Sequence, residues 1–335
     1  MKKRILKITL WLIVGIIALF LLILIAFHVS PRPGALVIKR AFDSKVLITD
    51  EKGYQRAKKN VEIISDQSYQ SKLKNNVFDI YYPKDMHQPV PVLVWAHGGG
   101  FVAGDKEGIK EFATKIVLDT KIAVISMNYE TAPDSQYPNQ LVQMGELIKT
   151  LEEKKFKMLD LSQILFGGDS AGAQIALQYV TTQTNRNYAK SIGIDQILNT
   201  AEIKGAISYC GPVDLQQTAQ EQSTSKFMKF FVDTVAWSEI GTKDWKENPK
   251  LFEASLVRHV TKDFPPTYIT DGNAYSFQNQ GIALEKKLKQ LKVPVQGLFY
   301  INDKKKITHE YQFDYEMKEA KNCYAQTVAF INEYK

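Results

Sequence analysis

Ile164-Leu165-Phe166-Gly167-Gly168-Asp169-Ser170-Ala171-Gly172 is a short apolar run that breaks into a glycine-rich turn and resumes as a helical pattern through Tyr179. The order strand, G-x-S-x-G, helix is what gives the motif meaning, because it puts the serine on a sharp turn with its hydroxyl exposed. Such a turn is sterically strained. The residues two positions before and after the serine pass close to other backbone, where only glycine fits easily. The turn also leaves the hydroxyl at a helix N-terminus, where developing negative charge is stabilised. Ser170 is therefore the candidate nucleophile.

Upstream, the apolar run Val90–Trp95 leads into His97-Gly98-Gly99-Gly100-Phe101. Consecutive glycines let backbone N–H groups turn toward an oxyanion, and the expected donors are Gly99, Gly100 and Ala171. No Lys-Ser/Thr pair follows the glycines, which argues against a phosphate loop. His97 reads as a structural hydrogen-bonding residue. The general base should come late, since nucleophile, acid and histidine follow one another in this chain order. Of His28, His87, His97, His259 and His309, only His309 follows the last expected strand.

With these motifs in view, the chain resembles the hormone-sensitive-lipase-like branch of the α/β-hydrolases, which carries an H-G-G-G loop and a G-D-S-A-G elbow. It is similar in particular to the membrane-anchored esterases of Gram-positive bacteria, through Asn128-Tyr129-Glu130-Thr131-Ala132-Pro133 and His309-Glu310-Tyr311-Gln312-Phe313. The resemblance covers roughly residues 75–335. It implies an α/β-hydrolase fold with a mostly parallel eight-stranded sheet, helices on both faces and a cap. It also implies a carboxylic ester hydrolase acting on short-chain acyl esters, without a cofactor. In that family an aspartate follows the seventh strand, in a stretch like G-N-A-D-P-L. Here the stretch is Gly272-Asn273-Ala274-Tyr275-Ser276-Phe277, with Tyr275 in the acid's place. A tyrosine cannot balance an imidazolium charge as a carboxylate does. Asp271, at the end of the preceding strand, is the first candidate to replace it. Asp214 and Asp303 are the alternatives, and a Ser-His dyad stays open.

Outward from the motifs, strands alternate with helices. Strands are expected at Val77–Tyr82, Val90–Trp95, Ile122–Asn128, Ile164–Phe166, Ile203–Tyr209, Thr267–Thr270 and Val295–Ile301, with a last helix from about Tyr315 to Tyr334. That alternation predicts a mostly parallel sheet covered on both faces. Residues 215–260 break the rhythm with Phe227, Phe230, Phe231, Val235 and Trp237, and are expected to insert as a cap. Residues 35–75 read as mixed and helix-like. The domain plan is a cytoplasmic tail at 1–7, a transmembrane anchor at 8–29, a linker and N-terminal cap region at 30–75, and the hydrolase domain at 76–335.

The anchor rests on Ile8–Phe27, which carries no charge. About twenty residues at about 1.5 Å each cross the roughly 30 Å hydrocarbon core. Lys2, Lys3, Arg4 and Lys7 precede it, so the N-terminus is expected in the cytoplasm and the rest outside. A cleaved signal peptide is the competing reading, but the run is longer than such peptides use and Ala26-Phe27-His28-Val29-Ser30 is a poor cleavage site.

The 335 residues carry a net charge of +7, with 44% hydrophobic and 24% charged residues. Lysines are scattered, with no arginine-rich helix, which argues against nucleic-acid binding. The expected partners are a small-molecule or lipid-like ester and, through the N-terminal helix, the membrane. Cys210 and Cys323 form no metal-ligand pattern or disulfide framework, and Cys210 reads as a small buried residue. Two other readings remain: a hydrolase-shaped binding scaffold at the cell surface, favoured by Tyr275, and an amidase or peptidase.

Overall fold

The computed structural model describes residues 2–42, 47–221 and 225–335. The parts of the expected cap at 43–46 and 222–224 lie outside the described residues. Eight strands form one sheet among the described residues: β1 (Val61–Ser68), β2 (Val77–Pro83), β3 (Val90–Ala96), β4 (Ala123–Met127), β5 (Leu159–Asp169), β6 (Ile203–Tyr209), β7 (Thr267–Asp271) and β8 (Val295–Phe299). Their order is β1-β2-β4-β3-β5-β6-β7-β8. β2 runs antiparallel to both its neighbours, and every other pairing is parallel. Every residue of β4 and β7 is buried, as expected of parallel strands covered on both faces.

The helices are α1 (Lys2–Val29), α2 (Arg32–Phe42), α3 (Glu51–Lys58), α4 (Lys110–Thr120), α5 (Asn139–Lys154), α6 (Ala171–Thr184), α7 (Arg186–Ile192), α8 (Leu215–Gln220), α9 (Lys226–Ile240), α10 (Lys250–Glu253), α11 (Gln278–Gln290) and α12 (Lys318–Tyr334). On one face, Phe112 and Ile116 of α4 and Phe330 of α12 pack with Trp95, Leu165 and Ile207 of the sheet. On the other, Leu147 of α5, Ile175 of α6 and Leu284 of α11 pack with Val94, Phe166 and Ile269. The expected three-layer arrangement is therefore present.

The reading of residues 35–75 is corrected in one respect. Val61–Ser68 is the edge strand β1, not helix or cap. Its sequence alternates poorly because it is exposed on one side and its register shifts between Ile64 and Gln67. A bulge of this kind blunts a free sheet edge. The sheet therefore begins before residue 76, and among the described residues of 30–75 it is α2 that packs on α9.

The cap is built from α2, α8, α9 and α10. Helix α9 starts with a side-chain cap from Ser225 to the Met228 amide and stops at Gly241, whose φ of +88° suits glycine. Helix α2 buries Gly34, Ala35 and Ile38. Ala35 and Ile38 pack with Phe230, Phe231 and Val235 of α9 over Val102 and Ala103. A Cβ on Gly34 would come within 2.8 Å of Thr234 Cγ2, so the two helices touch backbone to side chain there.

Among the described residues, α1 is the one helix long and apolar enough to cross a membrane, over Lys3–Val29, and none of its most apolar stretch is buried in the protein.

Candidate active site

In the sheet order, β4 lies on one side of β3 and β5 on the other, so the winding reverses at β3. The C-terminal ends of strands flanking such a reversal form a natural crevice for ligands. Here β3 ends in the His97–Phe101 loop and β5 ends at the Ser170 turn, in adjacent positions.

Ser170 has φ +49° and ψ −119°, a conformation that costs a non-glycine residue energy. The glycines around it explain how the turn is tolerated. A Cβ on Gly168 would overlap the backbone of Gly172, and one on Gly172 would overlap the carbonyls of Ala96 and His97. The Ser170 amide donates to the Tyr209 carbonyl at 2.8 Å, tying the turn to β6. Helix α6 starts at the next residue, and its N-terminus points at the serine.

Ser170 Oγ lies 2.9 Å from His309 Nε2. His309 is carried on the loop after β8. Its amide donates to the Ala274 carbonyl at 3.1 Å, and Asn273 Oδ1 accepts from the Ile307 amide at 2.9 Å. The loops after β7 and β8 are thus stitched together, and Phe277 sets its ring edge-on to the imidazole. His309 Nδ1 faces Asp271 Oδ1 at 3.8 Å and has no closer partner among the described residues. Burial pushes the imidazole down to about 4, so it is neutral near pH 7.

Asp271 is buried, and burial pushes its carboxyl up to about 7, resisted by bonds from the Phe277 and Gly272 amides. Those amides donate to its two oxygens at 2.6 and 2.7 Å. Tyr275, in the family's acid position, is 63% exposed at the rim of the cavity in front of Ser170. Its ring lies under Lys306 Nζ, which also donates to its hydroxyl at 3.1 Å. The other two candidate acids lie elsewhere. Asp214 caps α8 through the Gln217 amide and faces Arg258 at 3.9 Å. Asp303 is exposed on the loop after β8, where it accepts from the Lys305 amide.

The amides of Gly99, Gly100 and Ala171 have no protein acceptor among the described residues, and all three residues line the same cavity as Ser170 and His309. Gly99 (φ +115°) and Gly100 (φ +59°) supply the left-handed backbone that turns this loop. His97 takes the structural role expected of it. It is buried, stacks on Tyr129, and its Nδ1 lies 2.7 Å from the Gly98 carbonyl. Burial lowers its pKa, keeping it neutral.

Two acids near the turn escape sequence reasoning. Asp169 accepts from Trp95 Nε1 and from the Gly98 amide, both at 2.7 Å, and so holds the glycine loop beside Ser170. Its place inside the G-D-S-A-G stretch was the available signal. Glu310 sits in the left-handed region beside His309, and its Oε1 closes over Gly98. Burial, with the Asp169 and Asp271 charges, pushes it up to about 8. Its place in His309-Glu310-Tyr311-Gln312-Phe313 was the available signal, but its contacts depend on the loop's path.

The cavity in front of Ser170 encloses about 580 Å³. Phe231, Val235, Ile240, Trp245, Leu251 and Phe277 make its wall apolar. Glu239 also lines it. Burial pushes that carboxyl up to about 8, opposed by a hydrogen bond from Gln140, so it is neutral near pH 7. As for metals, the one grouping with ligand chemistry among the described residues is Cys210, Asp271 and His309, whose donor atoms lie within 4.8 Å of one another. Burial pushes the Cys210 thiol up, so it holds its proton and is a poor ligand. Cys210 and Cys323 are both free and buried.

A family profile described as alpha/beta hydrolase fold matches residues 93–309, from within β3 through His309. The chain belongs to the α/β-hydrolase-fold family. A viral α/β hydrolase of Acanthamoeba polyphaga mimivirus is 32% identical over 36% of this chain and 38% of its own length. An esterase of Gibberella moniliformis is 26% identical over 62% of this chain and 63% of its own. This hydrolase-fold chain thus spans less than two thirds of the length of these two curated relatives. Among solved structures, esterase B from Lactobacillus rhamnosis superposes with a TM-score of 0.70 at 17% identity, covering 91% of this chain and 96% of that one. The Pyrobaculum calidifontis esterase gives 0.64 at 18%, covering 87% and 94%. At such identities the two structures speak to the fold.

Proposed function

We propose that the protein is a membrane-tethered serine hydrolase of carboxylic esters that works through an acyl-enzyme. The observation carrying this reading is the contact of Ser170 Oγ with His309 Nε2 at 2.9 Å, in the wall of an apolar cavity that Gly99, Gly100 and Ala171 also line. The names of the relatives, several of them esterases or carboxylesterases, support the same class of reaction.

In this mechanism His309 takes the proton as Ser170 Oγ attacks the ester carbonyl. The oxyanion forms against the Gly99, Gly100 and Ala171 amides, each worth roughly 3 kcal/mol to the transition state. Asp271 orients the imidazole through Nδ1 and balances its charge. His309 then gives the proton to the leaving alcohol, and water releases the acid by the reverse route. Asp169 acts as a positioning residue for the glycine loop through the Gly98 amide.

The N-terminal helix is read as an uncleaved anchor, with the basic residues before it in the cytoplasm and the catalytic domain outside. The test of the chemistry is turnover of p-nitrophenyl butyrate by the full chain beside Ser170→Ala. Loss of turnover in the variant supports the reading, whereas a variant as active as the parent removes Ser170 from the reaction. Protease added to intact cells should degrade the catalytic domain. A domain protected until the cells are opened would reverse the orientation.

A further inference from the structure

The cap is fixed to the end of α1. Lys243 Nζ, just past α9, donates to the His28 carbonyl at 3.0 Å and lies over the Trp237 ring. Phe27, Pro31, Trp237 and Trp245 line a second cavity at this junction. Tryptophan beside lysine at the end of an apolar helix is the signature of a membrane–water interface. The end of α1 therefore lies against the cap, with no long linker between them.

Helix α2 starts at that junction. Its buried face packs on α9, yet Leu36 and Val37 on its other side are 57% and 51% exposed among the described residues. Exposed Lys39 and Arg40 lie on the same helix, with Arg32 paired to Asp134 at 2.6 Å, and α9 carries exposed Lys226, Lys229 and Asp233. Apolar side chains interleaved with lysine and arginine suit a helix lying in an anionic headgroup layer. Phe42 and Phe227, 46% and 63% exposed, continue this surface. Phe227 stacks on Phe231, Phe42 meets the same ring at a tilt, and both line the cavity in front of Ser170, so they stand at its mouth.

We propose that the α2–α9 face of the cap rests in the headgroup layer of the bilayer that α1 enters. The cavity then draws its substrate from that layer: an amphipathic ester with a medium or long acyl chain, which lies along the apolar wall while its carbonyl meets Ser170. A cavity of about 580 Å³ is far larger than an acetyl group needs and falls within the range of sites that enclose drug-sized ligands. Burial pushes up both carboxyls that line the cavity, Glu239 and Glu310, each to about 8, so neither sets a full charge against an acyl chain there. The hydrolysis step rests on the proposed role of Ser170, whereas the contact with lipid does not.

The test uses the full chain in vesicles of phosphatidylcholine and phosphatidylglycerol. An environment-sensitive fluorophore is attached at Leu36→Cys or Val37→Cys, with Lys321→Cys on α12 as control. The native cysteines are buried and do not label. Lipids brominated near the headgroup should quench the label at 36 and 37 and leave that at 321 unchanged. In parallel, Leu36→Asp/Val37→Asp should hydrolyse a long-chain ester embedded in the vesicle about tenfold more slowly than the parent. Both proteins should turn over soluble p-nitrophenyl acetate alike. Equal quenching at all three positions overturns the seating. Unchanged hydrolysis of the embedded ester overturns the route of entry. If Ser170→Ala keeps full turnover while quenching at 36 and 37 persists, the serine reading fails and the lipid contact stands.

Discussion

His309 has two working nitrogens. Nε2 meets Ser170 Oγ at 2.9 Å, and Nδ1 looks across 3.8 Å to an Asp271 oxygen. Asp271→Asn should therefore lower kcat on the order of 10⁴-fold, with little change in KM. Asp214→Asn, Asp303→Asn and Tyr275→Phe should stay near the parent rate in the same assay. A tenfold or greater loss in any of those three, or full activity in Asp271→Asn, would move the acid elsewhere. The pH dependence follows from the same pair. Burial holds the Asp271 carboxyl protonated up to about pH 7, while His309 is already neutral above about 4. A neutral carboxyl cannot balance the imidazolium, so kcat/KM should rise with pH through neutrality and level off above it. A profile flat from pH 5 to 8 would contradict this. The candidate serine and the glycine loop were legible because each sits in a short motif whose chemistry is local, and the candidate histidine because it follows the last strand. The acid was less so. Asp271 and Tyr275 are four residues apart, and only the path of the loop decides that one is buried and the other exposed beside Lys306. Glu310 and Asp169 gain their importance from contacts across the fold, which spacing does not encode.

Among the elements, β2 and the loop before α4 share an interior ion pair. Lys106 Nζ contacts Asp79 of β2 at 2.9 Å and reaches Asp66 of β1 at 2.9 Å, with the lysine and Asp79 side chains buried. The carboxylates, acting against burial, push the lysine up to about 12. Lys106→Met keeps much of the volume but leaves the Asp79 carboxylate uncompensated, which should cost about 3–5 kcal/mol of stability. Chemical denaturation in detergent checks this, and a variant within about 0.5 kcal/mol of the parent would contradict it. The same region marks where the sequence misled. Parallel strands such as β4 are buried on both faces and read as plain apolar runs. Edge strand β1 has one wet side, a bulge and Asp66 turned to Lys106, so Val61–Ser68 carries no clean alternation. The cap helix α9 was visible as an aromatic stretch too long for a loop. That α2 packs against it through Gly34 was not, because a helix–helix contact depends on partners distant in the chain.

For the whole molecule, a three-layer hydrolase fold carries the candidate site where the sheet winding reverses, and the helices α2 and α9 cover an apolar cavity over it next to the apolar helix α1. This arrangement predicts how rate depends on substrate. Each methylene buried in the cavity contributes about 0.8 kcal/mol, or roughly fourfold in kcat/KM. Activity on p-nitrophenyl esters should therefore climb from acetate through hexanoate in steps of about that size. A fall after butyrate would show that the cavity is closed to longer chains in solution. The layered architecture was readable from alternating strands and helices. The position of the cap against the end of α1 was not, since it is fixed by single contacts such as Lys243 with the His28 carbonyl.

The most direct test of the central claim is a rapid-mixing assay of the full chain with p-nitrophenyl butyrate, followed by phosphonate labelling and peptide mass analysis. An acyl-enzyme on Ser170 predicts a burst of p-nitrophenol approaching one equivalent per chain whenever deacylation is slow, and a phosphonate adduct on the peptide holding Ser170. An adduct on any other residue, or a phosphonate that abolishes turnover without modifying Ser170, would contradict it.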